Sequence, residues 1–252
     1  MSPATSNKLP VGVCAPKGFR AAGVAAGIKS SGAKDLALVV NDGPEFVAAA
    51  VTTTNRVFAA PVAWTRRAIA DGNLRAVVLN SGGANACTGS AGFMDAKQTA
   101  DRVTAQLGLT SADDVAVCST GLIGVRLPMP QLLSGVDTAV AQLSAQGSAD
   151  AAQAILTTDT VAKQSSVQLT DGTIIAGMAK GAGMLAPGLA TMLVVLTTDA
   201  SLTHEELDAA LRQATSLTFD RIDSDGCMST NDTVIALASG AAGIKPELQD
   251  FT

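Results

Sequence analysis

The sequence predicts a layered α/β domain, on three observations. Short apolar, β-branched runs alternate with segments of helical spacing, the pattern of sheets covered by helices. The chain has 252 residues, 47% of them hydrophobic, which is enough to bury a sizeable core. Only 15% are charged and the net charge is −5, the opposite of a disordered composition.

Taken in order, residues 1–17 are expected to form a flexible N-terminus, and 18–252 a single α/β domain. Within it, a glycine-spaced segment from Gly18 leads into the apolar run 36–40 (LALVV). A second run, 47–53 (VAAAVTT), is expected beside it, joined through Asp42-Gly43-Pro44. A short helix over 63–71 carries Arg66 and Arg67 outward. A buried-type strand at 75–80 (RAVVLN) runs into a loop at 81–87. The spacing predicts a helix over 94–107, a strand at 114–119, a helix over 130–143 with Pro130 in its first turn, and another over 148–156 capped by Ser148. Thr170-Asp171-Gly172 reads as a hairpin turn between 167–169 and 173–175. A strand at 192–196 (MLVVL) follows, then a helix opened by the capping-box pair Thr203 and Glu206, then a strand at 233–237.

Composition excludes several chemistries. The basic residues number 17 against 22 acidic, so nucleic acid is not the expected partner. Residues 1–10 lack an apolar leader core and no run is long enough to cross a bilayer, so the expectation is a cytoplasmic chain off the membrane. The four cysteines, Cys14, Cys87, Cys118 and Cys227, form no CxxC pair and are expected to be small buried hydrophobes. His204 is the sole histidine and reads as a surface residue just after a helix cap. Gly23, Gly27 and Gly32 do not fit GxGxxG, and no P-loop occurs. Asp223-Ser224-Asp225-Gly226 starts like a calcium loop, but Val234 stands where the closing glutamate belongs, so an Asx turn is expected instead. No metal or cofactor is expected.

Two segments carry chemistry. In 180–193 (KGAGMLAPGLATML) three glycines and a proline disfavour regular structure just ahead of a strand. There Thr191 has two readings. One is an ordinary strand-edge residue. The other is a hydroxyl poised to attack the Ala190 carbonyl, forming an ester that water opens to leave an N-terminal threonine. Its new α-amine, with an ordinary pKa of about 8, would then serve as base to its own hydroxyl. The second segment, 118–124 (CSTGLIG), is either a common strand-to-loop turn or an oxyanion hole built from backbone N–H groups and the Thr120 hydroxyl.

VVLNSGGANACTG, STGLIG, TTDTVAKQ, KGAGMLAPGLATML and STNDTV, in this order along 18–240, together resemble the ornithine acetyltransferase family, the bifunctional glutamate N-acetyltransferases of arginine biosynthesis. The resemblance implies an N-terminal-nucleophile-like fold. It also implies self-cleavage between Ala190 and Thr191 into an α chain (1–190) and the start of a β chain (191–252), with the cleaved chains paired as a heterotetramer. Thr191 becomes the nucleophile, Thr120 and Gly121 the oxyanion hole, and Lys180 and Thr157, with Thr191, substrate contacts. The implied reaction moves an acetyl group from N-acetylornithine to glutamate through acetyl-threonine; acetyl-CoA as a further donor is left open. In the family the second chain is about as long as the first, whereas this sequence stops at Lys245-Pro246-Glu247-Leu248-Gln249-Asp250-Phe251-Thr252. The alternatives are a related acetyltransferase of secondary metabolism, a hydrolase with the same nucleophile, and a non-catalytic fragment that needs the missing C-terminal half.

Overall fold

A computed structural model describes residues 9–184 and 192–251. Its strands are β1 (Phe19–Val24), β2 (Leu36–Asn41), β3 (Val47–Thr52), β4 (Ala76–Gly83), β5 (Val115–Leu122), β6 (Lys163–Gln168), β7 (Ile174–Lys180), β8 (Leu193–Thr198) and β9 (Thr233–Ala238). Its helices are α1 (Ala60–Ala68), α2 (Gly89–Leu107), α3 (Met129–Ala141), α4 (Ser148–Ala154), α5 (His204–Leu217) and α6 (Leu248–Phe251). They build two sheets, ordered β1-β2-β4-β5 and β3-β9-β8-β7-β6, with β4–β5 and β8–β9 parallel and the other pairs antiparallel.

Strand alternation sorts the apolar residues into three layers. Val39, Val77, Leu79 and Ala116 of the first sheet face Met178, Val195, Ile235 and Leu237 of the second, forming the central core. Their alternates Leu38, Val78 and Val117 face outward and are covered by Trp64 of α1, Ala100 and Val103 of α2, and Leu132 and Val136 of α3. On the far side, Val194, Val234 and Ala236 pack under Leu207 and Leu211 of α5. The order is helix, sheet, sheet, helix, and each such buried side chain contributes about 1.5–3 kcal/mol. α1 also closes the free edge of β5: the Thr65 hydroxyl donates to the Val117 carbonyl at 2.7 Å and accepts its N–H at 3.0 Å.

Several expectations are met in detail. Thr203 and Glu206 form both bonds of a capping box at the start of α5, and the 170–172 turn joins β6 to β7 in an antiparallel hairpin. Cys227 N–H donates to Asp225 Oδ1 at 3.2 Å, the expected Asx turn, and Gly226 N–H donates to Asp223 Oδ1 at 2.9 Å.

Others are corrected. β2 and β3 are not neighbours, because the chain crosses from one sheet to the other between them; Asn41 holds the crossing by donating to the Glu45 and Ala238 carbonyls. The Phe19–Val24 stretch, read as glycine-spaced connection, is strand β1. Ser148 does not cap α4: Gly147 occupies that place, and the Ser148 hydroxyl accepts the Cys14 N–H at 2.9 Å. Within the expected loose segment 1–17, Val13 is fully buried in the central core and Gly12 N–H donates to Ser166 Oγ, so the packed body begins before Gly18. Among the cysteines only Cys118 is fully buried, while Cys87 and Cys227 are exposed. His204 is half-buried, its Nδ1 2.8 Å from the Ala48 carbonyl.

Candidate active site

One end of the sandwich collects Thr120, Gly121, Thr157 and Lys180. Along β7, Met178 and Lys180 share a face, and Met178 lies in the central core. Lys180 therefore points into the gap between the sheets and is 2% exposed. Along β5, Cys118 and Thr120 share a face in the same way, and Thr120 is buried where the first sheet ends. Lys180 pairs with Leu193 and Leu193 with Thr233, so the end of β7 and the beginnings of β8 and β9 lie side by side.

The corner at Thr120-Gly121 is irregular by necessity. Gly83 of β4 stands opposite both Thr120 and Leu122, a bulge in a parallel ladder. Gly121 has φ +129°, and a Cβ there would lie 2.5 Å from the Gly82 carbonyl carbon, so only glycine fits. A small crevice opens at this corner between Thr120, Gly121, Ile123, Met184 and 229–231. Asn231 ties the two sheets together there: its Nδ2 donates to the Ala84 carbonyl at 2.7 Å and the Ser119 carbonyl at 2.8 Å.

Lys180 is the electrostatic centre of this end. Its ammonium donates to Thr157 Oγ1 at 3.3 Å, joining the two residues expected to act together. Burial pushes the Lys180 amine down to about 8, against the pull of the Asp159 and Asp232 carboxylates. Burial likewise pushes Asp232 up to about 7, although the Met192 N–H and Lys180 favour its ionised form. Both groups move toward neutrality, so desolvation outweighs their attraction. Burial also works on Asp159, but the Lys163 ammonium and the Gly181 N–H overcome it and hold that carboxyl below its usual range.

Asp159, Asn231 and Asp232 were not singled out by sequence reasoning, although each lies in a motif already quoted. The usable signal was polarity out of place: Ser229-Thr230-Asn231-Asp232 leads into the apolar strand β9 and is wholly buried. The Asp159 side chain and Asp232 each bury one oxygen, Oδ2, with no hydrogen-bond partner among the described residues. Ala190 and Thr191 lie outside the described residues. Met192, next along the chain, is buried, and its N–H donates to Asp232 Oδ1 at 2.9 Å.

Among the described residues, no helix is long and apolar enough to cross a membrane.

The ArgJ family profile matches residues 20–252. The chain is 63% identical over 240 residues to the arginine biosynthesis bifunctional protein ArgJ of Thermobifida fusca, covering 95% of this chain and 62% of that protein. It thus spans under two thirds of the length of the curated relatives it matches. An ornithine acetyltransferase from Mycobacterium tuberculosis, solved in complex with ornithine, superposes with a TM-score of 0.69 at 56% identity, over 73% of this chain and 96% of that one. A likeness in fold alone, with a TM-score of 0.56 at 13% identity over 92% of this chain and 76% of the other, links it to an L-aminopeptidase D-Ala-esterase/amidase of Ochrobactrum anthropi, described as a variant of the Ntn hydrolase fold. With the profile running through both sheets and every quoted motif, this chain belongs to the ArgJ family.

Proposed function

We propose that this chain carries the nucleophile, the oxyanion corner and part of the substrate pocket of an acetyltransferase of arginine biosynthesis. It opens itself at Ala190–Thr191. The observation that supports this reading most is the Thr120-Gly121 bulge, set at the same end of the sandwich as the buried pair Lys180–Thr157 and the start of β8. The relatives' names, an ArgJ protein and an ornithine acetyltransferase bound to ornithine, point the same way.

In self-cleavage the Thr191 hydroxyl oxygen bonds to the Ala190 carbonyl carbon. The Ala190–Thr191 C–N bond breaks and the hydroxyl proton passes to the freed nitrogen, after which water hydrolyses the ester. The α chain, 1–190, and the chain beginning at Thr191 then remain associated, and pair as a heterotetramer in the cytoplasm. In transfer, the Thr191 amine takes the proton as its oxygen attacks the acetyl carbon of N-acetylornithine. Donors at Thr120 and Gly121 stabilise the oxyanion, each worth about 3 kcal/mol. Collapse returns the proton to the leaving amine, releasing ornithine, and the amine of glutamate then takes the acetyl group from the threonine ester. The Lys180 ammonium pairs with the substrate α-carboxylate, and the Thr157 hydroxyl completes that contact.

The test is incubation with N-acetylornithine and glutamate. The expected result is ornithine and N-acetylglutamate, with an acetyl group trapped on the peptide that begins at Thr191, and neither with Thr191→Ala. Acetate released without glutamate would instead identify a hydrolase.

A further inference from the structure

We infer that Asp232 is a positioning residue for Thr191: its carboxylate holds the N–H of Met192, the residue that follows the nucleophile, at the end of the core where Lys180 is also buried. This rests on the reading of Thr191 as the nucleophile.

The Met192 nitrogen is bonded to the Thr191 carbonyl carbon, so whatever holds Met192 N–H sets the plane of that peptide unit. Asp232 Oδ1 holds it at 2.9 Å, and the Met192 carbonyl accepts the Thr233 N–H at 3.0 Å, so Met192 is gripped from both sides. Asp232 is in turn anchored through its own carbonyl, which accepts the Thr53 N–H at 2.9 Å. A neutral amide side chain would accept the Met192 N–H equally well. A carboxylate with its second oxygen bare inside the protein is instead a standing cost. Groups kept in such a state cluster where chemistry is done. The charged group acting on Asp232 is Lys180 of β7; Asp159, Lys163 and Lys29 act in turn on Lys180. The uncharged groups that favour its ionised form are Met192 N–H and the nearby Ser229 and Thr53 side chains; the Thr53 hydroxyl donates to the Ser229 carbonyl at 2.7 Å, not to Oδ2.

Asp232→Asn keeps an acceptor for Met192 and removes the charge. Self-cleavage at Ala190–Thr191 is expected to slow at least tenfold in this variant and to lose any step in its pH profile near pH 7. Stability supplies a second readout. Folded Asp232 holds its proton to higher pH than it does in the unfolded chain. Between about pH 4 and 7 the wild type is therefore expected to lose stability relative to Asp232→Asn as pH rises, read from urea midpoints. A purely structural carboxylate would move the stability curves and leave the rate and pH profile of self-cleavage unchanged. If the wild type cleaves and Asp232→Asn cleaves as fast, the inference is overturned whatever the stability curves show, and the reading of Thr191 stands. If the wild type stays intact, the reading of Thr191 falls and the positioning role falls with it.

Discussion

Asp35 and Asp232 are both fully buried carboxylates placed just before an apolar strand, yet the protein treats them oppositely. Asp35 accepts three backbone N–H groups, from Ala26 and Ile28 at 2.6 Å and Lys29 at 2.8 Å, and so folds the 25–35 connection over itself. Both of its oxygens are used. Asp232 accepts one backbone N–H, leaves Oδ2 bare, and is pushed up to about 7 by burial. The two regions are close neighbours, since Lys29 acts electrostatically on Lys180. A completed carboxylate is a fastener, whereas an unfinished one beside a buried ammonium is a cost that folding alone does not explain.

The sharpest way to break this contrast is Asp35→Ala. It strands three amides in the connection and is expected to destabilise the fold by about 3 kcal/mol or more, read by urea unfolding. A loss under about 1 kcal/mol would mean that the bonds are not fastening anything. Lys180→Met tests the other side with a smaller effect. Because the Lys180 amine is pushed down to about 8 from its ordinary 10.5, the unfolded chain holds a proton between those values that the folded chain has released. Wild-type stability should therefore rise relative to Lys180→Met from pH 8 to 10, by on the order of 2 kcal/mol. A flat difference would place Lys180 in water rather than in the core end.

Local chemistry was legible in the sequence and long-range pairing was not. The α5 capping box and the 170–172 turn involve residues within a few positions of each other, so their residue types state the geometry directly. β1 was missed because Arg20 and Gly23 interrupt its apolar pattern; Gly23 is there because a Cβ would strike the Asp150 carbonyl of α4. The β2–β3 crossing was misread as a hairpin because a strand's sequence does not say which sheet it joins. Thr120, Gly121, Thr157 and Lys180 were named as candidates from their motifs, and the structure brings each to the same end of the sandwich. The roles of Asn231 and Asp232 were hidden because their partners, Ala84, Ser119 and Met192, are remote in sequence.

The unfinished end of the sandwich lies where the chain runs into Thr191, and the account stands or falls on what happens at that residue. The direct measurement is the intact mass of freshly purified protein, with N-terminal sequencing. The account predicts two polypeptides, the second beginning at Thr191, and a single unbroken chain for Thr191→Ala. A wild-type chain that stays whole on prolonged incubation, or a Thr191→Ala chain that breaks at the same bond, would contradict it.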